Sequence, residues 1–238
     1  MFATVAGLLL IALGLAMGWY GIRPLLAVPR LLATEVREPR SLRATGGFVA
    51  CRGRASAVEE PIEAPFSGTD CLGLEYEVTE RQPFGIAWPW IDAYLDDGVA
   101  TTAFDLVNDR GRIRVDPAPH RFTLDVSEEV ISFATENALP DRVRRFLEIR
   151  DVPDTPEWLQ SIPGLGRRRF VERRIDPGRE YVVFGRIERR DGTVALGGDL
   201  VIGEGSPSQI AMGRIWSAAF PLGVSLAFLI GGGLLLFA

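Results

Sequence analysis

The sequence has no lysine: all 26 basic residues among its 238 positions are arginines. It therefore has no amine side chain for a Schiff base or for attachment of ubiquitin-like proteins. Its 31 acidic residues bring the net charge to −5, so the protein has no broad positive surface for nucleic acid, and we expect no nucleic-acid partner. A lysine-free, mildly acidic composition also indicates a GC-rich genome and is typical of salt-loving archaea.

Cysteine and histidine are almost as scarce, with Cys51, Cys71 and His120 as the complete set. Their positions lack the paired short spacing of zinc ligands, and two cysteines do not make a disulfide framework. The sequence also contains no Gly-rich phosphate loop, HExxH motif or Ser-His-Asp order. We expect no metal, no cofactor and no catalytic residue. Whether the two cysteines pair stays open.

Two long segments have no charge at all. Residues 2–22 and 215–238 contain no charged side chain, and as helices rising about 1.5 Å per residue both exceed the roughly 30 Å of a hydrocarbon core. The first segment also lacks the basic start of a signal peptide. The sequence predicts an integral, two-pass membrane protein: spans at 1–22 and 215–238, a juxtamembrane linker at 23–45 and a globular domain at 46–214.

Arginines lie close to the domain-side ends of both spans: Arg23, Arg30, Arg37, Arg40, Arg43 and Arg214. Positively charged flanks stay on the cytoplasmic side of a membrane. This pattern predicts a cytoplasmic domain with both termini outside.

Small residues recur at four-residue spacing in both spans, which lets helix backbones approach closely. Gly14 and Gly18 form such a stripe in the first span, and Gly223, Ala227 and Gly231 form one in the second. These stripes predict that the spans pack as a hairpin. Alternatively, they reflect only the abundance of glycine and alanine in membrane helices.

The globular domain reads mainly as β-strands. Leu72, Leu74, Tyr76 and Val78 alternate with more polar positions, a period of two that indicates a strand with one buried face. Residues 139–164 break this rhythm with two short helical patterns, and Thr155 is a plausible N-cap before Pro156. We expect an α+β fold, mostly β: an antiparallel sheet or partly open barrel with a small helical insertion, flanked by the two transmembrane helices.

Three stretches occur in a characteristic order. The first is GFVACRGRA followed by APFSGTDCLGLEYEV, the second is FDLVNDRGRIRVDP, and the third is RRFVERRIDPGREYVVFGRIE. Together they resemble the GIDE family, also called the BAM (beside-a-membrane) domain. The motif positions carry structural roles in this resemblance: Pro65, Ser67, Gly68, Cys71, Gly111, Pro177 and Gly178.

The family's best-known members are mitochondrial ubiquitin ligases with a RING finger after the second span. A RING needs about eight Cys and His ligands, which this sequence does not supply. The resemblance therefore implies a membrane-anchored, non-catalytic domain that recognises a protein or ligand through a groove or sheet edge. It also implies an extracytoplasmic domain, against the arginine pattern.

The turn at Pro65–Gly68 and the following Cys71 have two interpretations. A nucleophilic Cys71 would need a nearby base, for which His120 is the only histidine, and would make the protein a membrane-associated enzyme. We favour a structural turn that sets the register of the next strand, with Gly68 at positive φ.

The densest basic cluster is a candidate site for anionic lipid headgroups or an acidic protein: Arg167, Arg168, Arg169, Arg173 and Arg174. It would make the protein a lipid-sensing scaffold; the alternative is a solvated strand face. Glu75 and Glu77 likewise form either a carboxylate pair or a solvated face, and we favour the face.

Overall fold

The computed structural model describes residues 2–39, 47–84, 88–119, 121–133, 139–190 and 193–237. The elements in sequence order are α1 (Phe2–Leu25), α2 (Val28–Ala33), β1 (Val36–Arg37), β2 (Phe48–Ala57), β3 (Ile62–Glu63), β4 (Asp70–Cys71), β5 (Gly73–Phe84), β6 (Trp88–Thr101), β7 (Phe104–Asn108), β8 (Gly111–Val115), β9 (Phe122–Asp125), β10 (Glu128–Ile131), α3 (Asp141–Ile149), α4 (Glu157–Gln160), β11 (Arg168–Ile175), β12 (Glu180–Arg190), β13 (Thr193–Gly203) and α5 (Pro207–Phe237). The α+β, mostly β class is confirmed.

The protein divides into two compact units. The helical unit contains α1, α2 and α5, and two of its helical segments are long and apolar enough to cross a membrane. The last helix begins eight residues before the predicted span, because Ser206 and Gln209 cap it reciprocally. The Ser206 Oγ accepts from the Gln209 N–H at 3.3 Å, and the Gln209 Oε1 accepts from the Ser206 N–H at 2.7 Å.

Within the helical unit, α1 and α5 pack against each other. A Cβ on Gly14 would lie 3.0 Å from Leu229, and one on Gly18 would lie 2.8 Å from the Ser225 hydroxyl. The first predicted stripe therefore lies at the contact. The Ser225 Oγ also donates to the Gly14 carbonyl at 2.7 Å, a buried polar contact between the helices.

The contact predicted for the second span is wrong. Gly223 and Gly231 face open space, and Ala227 is exposed. The α5 side of the contact is instead formed by Ser225 and Gly232, which are buried. Four-residue spacing occurs on several faces of a glycine-rich helix, so spacing alone does not select the face that packs.

The strand-rich unit, Val36–Glu204, contains a closed five-stranded barrel. Its strands follow the order β2, β12, β13, β8 and β7, and antiparallel pairing of β7 with β2 closes it. Two shorter strands extend it in parallel, β1 beside β2 and β9 beside β13. Apolar side chains that alternate along these strands fill the interior, among them Phe104, Leu106, Tyr181 and Leu196.

A second antiparallel sheet has the order β10, β11, β5 and β6. The alternation predicted for β5 is observed, since Leu74, Tyr76 and Val78 are buried on one face. This face packs against α3 through Val143 and Leu147, and the β3–β4 hairpin completes the second core. The strand β6 lies at the edge of this sheet.

The predicted helical insertion corresponds to α3 and α4, but the capping prediction was wrong. Pro156 occupies the N-cap position of α4, and no side-chain hydrogen bond caps this helix. The Thr155 hydroxyl is buried and donates instead to the Glu80 carboxylate on β5. A buried carboxylate 75 positions away in sequence competes for this hydroxyl, which local patterns do not reveal.

Candidate functional site

The Pro65–Gly68 segment forms the turn between β3 and β4. The Gly68 N–H donates to the Ala64 carbonyl at 2.9 Å, and Gly68 has a φ of 71°, as predicted. Phe66 is 1% exposed and packs edge-on against Tyr76 and Phe146. The turn therefore carries an aromatic anchor for the second core.

A buried carboxylate from β11 holds this turn in place. Glu172 is 1% exposed, and its Oε1 accepts hydrogen bonds from the backbone N–H groups of Phe66 at 2.6 Å and Ser67 at 3.2 Å. Its other oxygen accepts from Arg174 at 2.7 Å, and Arg174 also donates to the Ser67 hydroxyl at 2.9 Å. Buried charge that is paired and fully hydrogen-bonded in this way fixes a conformation.

Several motif positions of the sequence resemblance thus meet in space. Ser67 and Gly68 lie in the turn held by Glu172, and the third of the quoted stretches continues from Glu172 into the Pro177–Gly178 turn. There the Gly178 N–H donates to the Ala55 carbonyl of β2 at 2.7 Å. The motif residues connect the barrel with the second sheet, which is an architectural role.

Cys71 does not have the surroundings of a nucleophile. Its side chain is fully buried, its thiol donates to the Ile62 carbonyl at 3.3 Å, and burial raises its pKa to about 12. The second thiol, Cys51, lies in the barrel core, where burial raises its pKa to about 11. Both are free thiols in different cores. His120 lies outside the described residues.

The five candidate arginines are largely engaged by carboxylates. Arg168 is buried beside Glu80. On β10, Glu128 pairs with Arg169 and Arg173, and Glu129 pairs with Arg174. Arg167 is exposed and makes no ion pair with the described residues. The pairs are Arg169 with Glu128 at 3.7 Å, Arg173 with Glu75 at 4.0 Å, and Arg174 with Glu172 at 2.7 Å. This local neutralisation favours the solvated-face interpretation. Binding of lipid by the cluster stays a prediction.

Glu75 and Glu77 lie on the same face of β5, opposite the buried one, and both are half-buried. The Glu75 carboxylate accepts from the Leu124 N–H at 3.1 Å. Burial raises the pKa of Glu75, and the Leu124 hydrogen bond and the Arg173 charge oppose this shift. Glu75 thus ties β5 to β9.

Sequence reasoning missed an apolar groove beside α3, here called the α3 groove. Its volume is about 350 Å³, within the usual range for ligand clefts. It is lined by Ile62, Glu63, Ala64, Pro65, Leu74, Tyr76, Ala100, Arg142, Arg145, Phe146 and Ile149. The sequence pattern of α3 could have indicated this groove, because positions 142, 145, 146 and 149 follow the 3–4 spacing of one helical face.

The apolar side chains of the α3 groove include one that is open to solvent. Ile149 is 75% exposed at the end of α3, although burial of an isoleucine side chain would stabilise the protein. The Tyr76 ring also lines the groove, and the Tyr76 hydroxyl donates to the Asp96 carboxylate at 3.2 Å. Arg150 binds the same carboxylate through two hydrogen bonds of 3.0 Å. These contacts fix the position of the Tyr76 ring.

Two arginines lie at the groove. Arg142 is held by the turn, since it donates to the Phe66 carbonyl at 2.6 Å. Arg145 makes no ion pair or hydrogen bond with the described part of the protein. An apolar cleft beside a cation that has no partner in the described part of the protein suits a ligand that has both an apolar group and an anionic group.

In the part of the sequence that the structure describes, no group of three or more His, Cys, Asp or Glu side chains is arranged to hold a metal ion. Comparison with family models, with curated proteins and with solved structures gives no match for this protein.

Proposed function

We propose that the protein is a membrane-anchored, non-catalytic recognition domain of the GIDE type, which binds an apolar segment of a partner protein in the α3 groove. The observation that carries the proposal is this groove, with Phe146 and Tyr76 in its walls and Ile149 exposed at its rim. Two candidate spans flank the strand-rich unit in sequence and would hold the groove near a membrane.

The chemistry of the α3 groove supports binding rather than turnover. Its lining contains no cysteine or histidine, and Glu63 is its only carboxylate among the described residues. The Tyr76 hydroxyl is engaged by Asp96, and burial raises its pKa to about 12, so it remains protonated at neutral pH. Acid–base catalysis needs groups that titrate near the working pH and converge on a substrate.

The GIDE assignment rests on the ordered motifs and gains support from their positions. The Pro65–Gly68 turn and Glu172, which come from two of the quoted stretches, lie together, and Pro65 shapes one end of the α3 groove. In this proposal the motif residues build the groove, and the residues of α3 determine what it accepts.

A peptide array tests the proposed function. Full-length protein in lipid nanodiscs is applied to short immobilised peptides with apolar residues, alongside Ile149→Glu, which places a charge at the groove. The matched control is Trp158→Glu, because Trp158 is an exposed apolar residue on α4 that does not line the groove. We expect binding that Ile149→Glu abolishes and Trp158→Glu preserves. Equal binding by all three proteins would refute the proposal.

A further inference from the structure

We propose that the segment recognised by the α3 groove carries a carboxylate directly beside its apolar residues, and that Arg145 binds this carboxylate. This inference rests on the proposed function and adds the chemistry of the ligand. We assign the carboxylate to the C-terminus of a peptide, and an Asp or Glu side chain is the alternative that the test separates from it.

The arrangement of α3 directs the two arginines to the same groove. Arg142 and Arg145 are three residues apart on α3. Phe146 follows Arg142 by four residues and Ile149 follows Arg145 by four, and both side chains line the groove. Residues at these spacings form one helical face. An apolar group between Phe146 and Ile149 therefore places its neighbouring charge at the arginines.

The two arginines differ in what they can still bind. The Arg142 guanidinium lies against the turn, so close to Gly68 that a Cβ at this position would clash with Nη1. Arg145 is exposed and has no carboxylate partner among the described residues. Glu63 is the only acidic residue of the described lining, so the groove has a net positive charge that complements an anion.

The sheet edge favours a peptide over a fatty acid as the carrier of the carboxylate. The Thr102 N–H donates to the Leu72 carbonyl at 3.0 Å. Ala100 lies two residues before Thr102 and pairs with Leu74, so its backbone N–H and carbonyl groups also point to β5. Backbone direction alternates along an antiparallel strand, and Val99 and Thr101 therefore point away from β5. The backbone groups of Val99 and Thr101 can hydrogen-bond a peptide backbone beside the groove, as in strand addition. The hydrocarbon tail of a fatty acid has no donors or acceptors for such hydrogen bonds.

Arg150 limits this open edge. Its guanidinium donates to the Asp97 carbonyl at 3.2 Å, the next outward-directed carbonyl along β6. Among the described strands β6 pairs only with β5, so the stretch available to a peptide is short and lies directly beside the groove residue Ala100. It accommodates the last few residues of a peptide rather than a long strand.

The test uses three rhodamine-labelled peptides and full-length protein in nanodiscs, with affinity measured by fluorescence anisotropy. The first is Gly-Ser-Gly-Leu-Phe with a free C-terminal carboxylate, the second is its C-terminal amide, and the third is the amide of Gly-Ser-Gly-Leu-Phe-Glu. We expect the free acid to bind about tenfold more tightly than its amide, the effect of one hydrogen bond to a charged group. Restored binding by the third peptide, which carries only a side-chain carboxylate, would overturn the assignment to the C-terminus.

Arg145→Gln should reduce the preference for acid over amide to about twofold or less. The matched control Arg144→Gln should keep it, because Arg144 is on the same helix but outside the groove, beside Asp141. Equal wild-type affinity for acid and amide would overturn the inference. If the wild type bound acid and amide equally and Ile149→Glu bound neither, the proposed function would stand without the inference. If no peptide bound the wild type, both the proposed function and the inference would be contradicted.

Discussion

The carboxylate of Glu172 accepts a hydrogen bond of 2.6 Å from the backbone of Phe66, although the two residues are 106 positions apart in the sequence. This contact joins the β3–β4 turn to β11 and keeps the Phe66 ring in the second core. Because the turn also contributes Pro65 to the α3 groove, the stability of the fold and the shape of the proposed site depend on the same carboxylate.

Replacing Glu172 with alanine should lower the free energy of unfolding by about 3 kcal/mol, since buried donors of the turn and of Arg174 would lose their acceptor. Glu172→Gln should have a smaller effect, because the amide oxygen can still accept from the turn. Thermal or urea unfolding of the full-length protein in detergent measures both. Glu60→Ala, at an exposed position, is the control, and equal stability of Glu172→Ala and this control would contradict the role assigned to Glu172.

The Asp96–Arg150 pair should make stability depend on pH in the acid range. Hydrogen bonds from Arg150 hold the pKa of Asp96 below its usual value of about 3.9, although burial opposes them. A carboxyl group with a lowered folded-state pKa contributes stability above the unfolded-state pKa. That contribution disappears as the pH falls through the folded-state pKa.

Arg150→Gln should therefore destabilise the protein by about 1 kcal/mol at pH 7, and the difference from the wild type should shrink at an acidic pH well below the usual Asp pKa of about 3.9. Urea unfolding at both pH values provides the comparison. Arg121→Gln removes a pair whose members are both well exposed, 59% and 79%, and should change stability little at either pH. A constant Arg150→Gln effect at both pH values would contradict this role of Asp96.

The packing of the two spans predicts different outcomes for two glycine substitutions. Gly7→Ile should separate the helices, because a Cβ on Gly7 would lie 2.8 Å from the Gly232 carbonyl. Gly231→Ile should be tolerated, because that position faces open space. Cysteines at Gly21 and Leu222, which are in contact, report on the packing through oxidative cross-linking. Equal cross-linking yields in the two variants would show that this contact does not hold the spans together.

The arginines after the first span predict a cytoplasmic domain, and thiol labelling tests that placement. A cysteine replacing the exposed Asp109 in the β7–β8 turn should react with a membrane-impermeant maleimide only after cells are lysed. The native thiols should give little background, because both are buried and burial raises the pKa of both. Labelling of intact cells would instead place the domain outside, as the family resemblance implies.

Local sequence patterns predicted those features whose cause is local. Two uncharged segments are long enough for spans, and the alternation in β5 separates a buried face from a more polar one. The αL glycine at position 68 follows from the turn residues around it. Each of these inferences needs only a few neighbouring residues, and each agrees with the structure.

The errors and omissions share a physical cause. Thr155 has the residue type of an N-cap, but its hydroxyl binds Glu80. The stripe at Gly223, Ala227 and Gly231 has the right spacing but the wrong face, while Ser225 makes the contact. Long-range partners decide such cases, and a single sequence does not state which segments meet.

The sequence by itself determined the candidate membrane spans, the strand-rich class and the scarcity of catalytic side chains, because length, charge and periodicity act locally. Only the tertiary structure decided that Glu172 holds a distant turn, that carboxylates surround the arginine cluster, and that Ile149 and Arg145 lie at one groove. A groove is a space between elements far apart in the sequence, so it exists only after they have packed.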